Sequence, residues 1–450
     1  MNATENISNW IVDTSYQDIP PEALQAARES YFDCLGLALS GSVQPLGRIL
    51  TDYVREQGGT PESTVLGSGL RTHAGSAALA NGTFGCAMDL DPGPVMVGMV
   101  PALLAVGERI GATGRDLLEA FVVGNELAVA LEAVSRHNLQ QRGIHTIGGG
   151  RISVAAACAK LLDLDSHQTA MAMGLATSTE GGLVSNQGTM TKPLHAGLIA
   201  KDGVMAALLV EKGFTGLDHV FDHASGWYGA SLSEGTADMM PVAEALGNPI
   251  RIQDTKYIRR YPCCRTNHGM LDSILGLMRE HEFDHRDVES LDMVQLYGSV
   301  VMLFGEPKDG HEARFSCLYT SAAALADGKV GTDTFTEEKV KDPIIKETMG
   351  KICIKVKSRW EERPADHDAG VPVKITLKDG RVLDHTTPMG QIYGSQQNPW
   401  SMDEIVEKFR ENAGMALPPD KVEQAIKTWS SVDKVKDLGP AVKTLVADGR

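Results

Sequence analysis

Little in this chain marks it for export, for a membrane or for nucleic acid. Residues Met1 to Trp10 carry no basic start and no long apolar run, so no signal peptide is read there. The most apolar stretches, such as Met99 to Val106, are short and broken by proline, which argues against a bilayer span. No C-x-x-C occurs. The seven cysteines (Cys34, Cys86, Cys158, Cys263, Cys264, Cys317 and Cys353) are odd in number and irregular in spacing. A chain of this size needs no covalent staples, so reduced thiols in a cytosolic compartment are expected. Basic charge is in deficit: 42 Lys and Arg against 58 Asp and Glu leave −16. Such a surface repels nucleic acid and anionic membrane, and an anionic substrate would need a local basic pocket set against that field. The 47 glycines show no collagen-like or low-complexity period, and no solenoid or propeller repeat is present.

What is present is a globular composition with room for two or three domains in 450 residues. The first half reads as successive helices. Pro20-Pro21 opens one that runs to Ser40, with Gly41 placed as its C-terminal cap. Arg115 to Arg136 is a core helix, too densely apolar for the surface, and Ser153 to Leu162 and Ala196 to Lys212 read the same way. After about Tyr261 the pattern changes. Ser290 to Tyr297 and Ile352 to Val356 read as strands, and Val371 to Leu377 and Val382 to His385 flank the hairpin signal Asp379-Gly380. Helices near Met270 to Met278 and Ser316 to Ala326 interleave with them. Asp403 to Asn412 and Lys421 to Ser431 are helical again. The expected fold is mainly α: an all-α helical-bundle domain of residues 1–262 plus 399–450, with a smaller α+β domain at 263–398.

Four segments carry candidate chemistry. In Gly188-Thr189-Met190-Thr191-Lys192-Pro193-Leu194-His195, Pro193 suits the first turn of a helix and puts Lys192 at its start. A lysine there binds a carboxylate, or gives up its proton and works as a base; the plain alternative is a surface lysine. Arg142 to Gly150 is a glycine-rich turn into a helix, an anion nest in which His145 would carry protons, or else a turn histidine with satisfied bonds. No strand precedes it, so it is neither a Walker loop nor a dinucleotide fingerprint. Tyr261 to His268 offers Arg265 for a carboxylate and His268 for proton transfer, or a hinge with buried thiols. Adjacent Cys263 and Cys264 do not readily chelate one zinc ion. Asp89 and Asp91 lie near a helix end, able to bind a metal, orient a histidine or cap, with no matching oxygen cluster nearby.

Together these segments, with Ala80-Asn81-Gly82-Thr83, Glu312-Ala313-Arg314-Phe315-Ser316 and the tail from Pro399, resemble the MmgE/PrpD family along nearly the whole chain. That family includes 2-methylcitrate dehydratases, cis-aconitate decarboxylases and an iminodisuccinate epimerase. The resemblance implies a bundle built from both chain ends, an inserted α+β domain, a homodimer, no cofactor and a basic site between the domains. It carries over Lys192, His145 and His268 as catalytic candidates. Asp91, Arg265, Thr191 and His195 are taken as substrate contacts. One departure stands out: Asp91 is followed by Pro92-Gly93-Pro94-Val95-Met96-Val97-Gly98, with neither the second acid nor the histidines that dehydratase and decarboxylase members place there. A dehydratase needs an acid for the departing oxygen, whereas an epimerase needs only two bases on opposite faces of one carbon. The expectation is therefore an epimerase of an iminodisuccinate-like acid, with Lys192 and one histidine as the bases. A lyase of the 2-methylcitrate or cis-aconitate type is the alternative, and a non-catalytic polycarboxylate binder a further one.

Overall fold

A computed structural model describes residues 2–141, 143–145, 149–227, 238–295, 304–356 and 370–447. Arg142, Thr146, Ile147 and Gly148 of the glycine-rich segment, and the expected strand end Leu296-Tyr297, lie outside the described residues. Helices of eight residues or more are numbered here. The first nine are α1 (Ala3–Asp13), α2 (Pro21–Ser42), α3 (Pro45–Gln57), α4 (Ala74–Gly85), α5 (Pro94–Ile110), α6 (Gly114–Gln141), α7 (Gly150–Leu161), α8 (Ser166–Ala176) and α9 (Thr191–Glu211). Then come α10 (His268–His281), α11 (Cys317–Asp327), α12 (Met402–Gly414) and α13 (Pro419–Trp429). The mainly α reading holds.

Among the described residues the two largest of four apolar cores draw on different parts of the chain. The larger draws on α2, α4, α5, α6, α7 and α9, and takes Ile405, Phe409, Val422 and Trp429 from the tail. Phe409 of α12 stacks on Phe32 of α2 at 4.2 Å, and Trp429 lies over Tyr31, so the C-terminal helices return to the first. The second core runs from Tyr261 to Leu377. There β3 (Val288–Gln295) pairs in parallel with β4 (Ile352–Val356) and antiparallel with β5 (Val373–Leu377). β5 turns through Asp379-Gly380 into β6 (Val382–His385), giving the order β4-β3-β5-β6. Gly380 takes φ +88°, the left-handed conformation that the turn demands and glycine tolerates. The β1 (Ser63–Thr64) and β2 (Arg71–Thr72) pair is a small separate ladder.

Two expectations need correction. Gly41 is no cap, because α2 runs on to Ser42; a Cβ at Gly41 would stand 1.9 Å from the Phe84 carbonyl, so glycine is there to let α2 and α4 touch. Apolar length was also underestimated. Among the described residues α9 is long and apolar enough to cross a membrane, yet two-thirds of its apolar stretch is buried inside the protein, as in a core helix. Its Gly197 lies against Leu79 and Thr83 of α4, with 2.2 Å between a notional Cβ and Thr83 Oγ1. This crossing brings the end of α4 to the start of α9.

Candidate active site

Lys192 is the second residue of α9 and is buried. Residues 86–91 leave α4 in a tight turn, and Asp89 adopts φ +54°, which an aspartate tolerates better than most side chains. The turn presents three groups to one ammonium. Lys192 donates to the Asp89 carboxylate and to Cys86 Sγ at 3.3 Å, and stands 3.8 Å from Asp91 Oδ2. Cys86 in turn donates to Asp91 Oδ2 at 3.5 Å. Burial works against the lysine's charge, but Asp89, Cys86 and Asp91 outweigh it and hold the ammonium above its usual range. Of the two roles read for a lysine at this helix start, the structure shows it engaged with carboxylates. Burial, reinforced by Asp91, pushes Cys86 up and keeps it a thiol.

The second cation is Arg259. One of its amino groups donates to the Asp89 carbonyl at 2.9 Å and the other lies 3.8 Å from Asp91 Oδ1. Burial raises the Asp91 carboxyl, yet Arg259 and Lys192 bring it below the ordinary carboxylate range. Arg314, from the second core, donates to the Ala87 carbonyl at 3.0 Å, and the Phe315 ring lies 5.9 Å from the Lys192 ammonium. Three cations thus face two carboxylates around one turn: a basic locus in an acidic chain. Arg259 Nε, Arg314 Nε, Asp91 Oδ1 and Gln187 Oε1 are buried with no hydrogen-bond partner. Such spare valence is costly unless a ligand uses it.

Two histidines complete the group. The rings of His145 and His195 lie 5.4 Å apart, both buried, each with an unpartnered Nδ1. Burial, and next the Lys192 charge, take His145 down to about 3; burial and then Arg151 lower His195. Both are neutral imidazoles at neutral pH. Thr191 is half-buried in the first turn of α9, its N–H bonded to Thr189 Oγ1.

The remaining expected residues stand elsewhere. His268 is fully buried, and both ring nitrogens are taken: Nδ1 pairs with Tyr257 Oη at 2.6 Å and Nε2 with the Cys263 carbonyl at 3.2 Å. It cannot carry a proton to a ligand without giving up one of these bonds. Arg265 is exposed, with its guanidinium 4.6 Å over the Tyr257 ring. The cation at the acidic turn is Arg259 instead, six residues earlier. The nest around Gly149-Gly150 faces a carboxylate of the chain itself: Glu180 Oε2 lies 3.8 Å from Arg151 NH1, and the Gly149 and Arg151 amides favour its charged form. Among the described residues no group of three His, Cys, Asp or Glu is arranged to hold a metal ion. Met96 and Val97 after the acidic turn are buried, and Val97 packs on Gly85. The sequence reading also missed His311, half-buried in the short helix Gly310–Ala313 of the second core, within the electrostatic reach of Arg314 and Asp89.

The family model of the MmgE/PrpD N-terminal domain matches residues 5–239, and that of the MmgE/PrpD C-terminal domain matches residues 261–433. The cis-aconitate decarboxylase of Homo sapiens is 28% identical over 454 residues, covering 96% of this chain and 92% of that protein. A cis-aconitate decarboxylase-like protein of Aspergillus oryzae is 25% identical, covering 97% and 96%. The mitochondrial 2-methylcitrate dehydratase of Yarrowia lipolytica is 30% identical over 124 residues, 27% of this chain and 24% of that protein.

Proposed function

Because the chain belongs to the MmgE/PrpD family, we propose that it is a cofactor-free lyase of a small polycarboxylate, of the cis-aconitate decarboxylase type. The observation that carries this reading is the buried cluster of Lys192, Arg259 and Arg314 beside two neutral, open-valenced imidazoles. The epimerase expectation gains no support from the relatives, which are named as decarboxylases and a dehydratase.

On this reading the substrate carboxylates replace part of the Asp89 and Asp91 contacts to Lys192 and Arg259. The scissile C–C bond breaks, its electron pair passes into the conjugated acid, and CO2 leaves. The charge that develops on the remaining carboxylate is met by cations already in place, whose reorganisation cost folding has met. The bound anion's field also raises the depressed imidazoles, so His145 or His195 can take a proton and deliver it to carbon. His311, within electrostatic reach of Arg314 and Asp89, is the candidate for the acid that the loop after Asp91 does not supply. The reading includes an all-α unit of residues 1–262 plus 399–450 and an α+β unit of 263–398, with the site between them. A homodimer and a cytosolic location complete the proposal.

The test supplies the purified protein with cis-aconitate, 2-methylcitrate and, in deuterated water, iminodisuccinate. Release of CO2 with a five-carbon unsaturated dicarboxylate is expected from the first. No release of CO2 or water, together with deuterium appearing at Cα of the third, would restore the epimerase. Binding of all three without turnover would leave a polycarboxylate-binding protein.

A further inference from the structure

Glu180 sits outside the cationic cluster, but the chain after it runs straight to the histidines. The Arg151 side chain, at the start of α7, is buried; its Nε donates to Asp202 Oδ2 of α9 at 2.8 Å and its NH1 to the Gly181 carbonyl at 3.1 Å. The same NH1 lies 3.8 Å from Glu180 Oε2. One residue on, the Gly182 carbonyl accepts the His145 N–H at 2.9 Å, and a Cβ at Gly182 would stand 3.3 Å from the His195 ring. Leu183 bridges Ile144, and the Val184 N–H bonds the Gly143 carbonyl at 2.8 Å. Residues 180–184 are thus a strap lying along 143–145. Its far side faces a cavity of about 610 Å³ lined by Ile144, Ser178, Glu180, Gly181, Phe214 and Trp227. Glu180 Oε1 is buried there without a partner.

We propose that Glu180 is a positioning residue: by pairing with Arg151 and the start of α7 it holds the Gly181-Gly182 strap that aligns His145 and His195. The proposal rests on the lyase reading for its kinetic arm only. The charged and polar groups that act on the carboxyl are Arg151 and its amide at the start of α7, the Gly149 amide just before it, and Asp202 opposing from α9. Burial dominates and pushes the Glu180 carboxyl up to about 7.

Glu126 provides the matched control. It is a buried carboxylate that accepts the Arg251 N–H at 2.7 Å, and burial pushes it to about 7 as well, but no strap leads from it to the site. The experiment compares wild type, Glu180→Gln, Glu180→Asp and Glu126→Gln in the full-length protein. Imidazole resonances of isotope-labelled histidine are read without ligand, and kcat and KM are read on cis-aconitate. Glu180→Gln is expected to shift the His145 and His195 resonances and lower kcat about tenfold with KM within twofold. The acid limb near pH 7 should vanish from its kcat profile, and Glu180→Asp should recover part of the rate. Glu126→Gln should change none of these. Imidazole signals of Glu180→Gln identical to wild type, or moved equally by Glu126→Gln, would overturn the proposal even if wild type turns over no cis-aconitate at all.

Discussion

Two buried lysine–aspartate pairs lie close together in this protein, and they are built to different ends. Lys408 of α12 meets Asp33 of α2 at 2.8 Å and also donates to the Leu90 carbonyl at 3.4 Å. That pair is sealed: one cation, one carboxylate, and a backbone oxygen for a spare hydrogen. Lys192 faces two carboxylates and a thiol, and its neighbours Asp91, Arg259, His145 and His195 keep buried polar atoms with nothing to bond. A buried ion pair seldom adds net stability, because desolvation consumes most of its attraction. The sealed pair ties the C-terminal helix to the first core in one register. The open one leaves valence for a ligand, and an open arrangement persists in a fold only where the rest of the core over-determines it.

The largest effect should separate the two. Lys192→Ala is expected to lower kcat per folded molecule by a factor on the order of 10²–10³, the usual loss when one preorganised donor is removed. Lys408→Ala should leave the rate per folded molecule unchanged and cost about 3–5 kcal/mol of stability by stranding Asp33. Urea titrations paired with kcat on the folded fraction decide. A Lys408→Ala protein that is stable but inactive would erase the distinction.

The histidines repeat the contrast. His145→Gln is expected to cost about 10²-fold in kcat, the scale of a lost proton carrier. His268→Gln should keep the folded-state rate and lose about 1–2 kcal/mol, because its imidazole is spent on Tyr257 and Cys263. Equal rate losses in the two would return His268 to the proton-transfer path. Arg259→Lys should be milder: the fork geometry goes while the charge remains, so KM for a polycarboxylate rises about tenfold with kcat little changed. A KM equal to wild type would place the substrate elsewhere.

What could be read beforehand follows from range. Helices and strands rest on local periodicity, so α6, α9, β4 and the Asp379-Gly380 hairpin were legible, with ends displaced by a few residues. Lys192, His145, His195 and Asp91 were legible as segments, since glycine and proline punctuate them. The failures are relations between distant residues. Arg259 was overlooked because its block was read from Tyr261, two residues too late. His268 was carried over by motif, and only tertiary packing shows that both its nitrogens are engaged. The lysine's charge state depends on Asp89 and Asp91, some hundred residues away, meeting it through the Gly197 crossing. The carboxylate beside the glycine nest, Glu180 at 3.8 Å from Arg151, was not seen in sequence because it comes thirty residues later.

The smallest effect tests the open half of the comparison through pH. His145 is held down to about 3 in the folded chain against 6.5 for an ordinary histidine. Between those values the unfolded chain binds the proton and the folded chain does not, so stability rises with pH through that window and is complete above about 6.5. Glu180 and Glu126, both raised to about 7 from 4.5, act in the opposite sense: the folded form keeps its proton longer, and stability falls as pH climbs from about 4.5 to 7. The two slopes oppose each other near pH 5.5, so the wild-type curve alone hides both. Removing one side exposes it. His145→Gln should gain about 1 kcal/mol relative to wild type on going from pH 8 to pH 5.5, measured by urea unfolding at each pH. An offset between the two proteins that stays constant with pH would mean that the imidazole already shares its charge with solvent or a carboxylate. The unpartnered ring nitrogen would then lose its significance as a place kept for substrate.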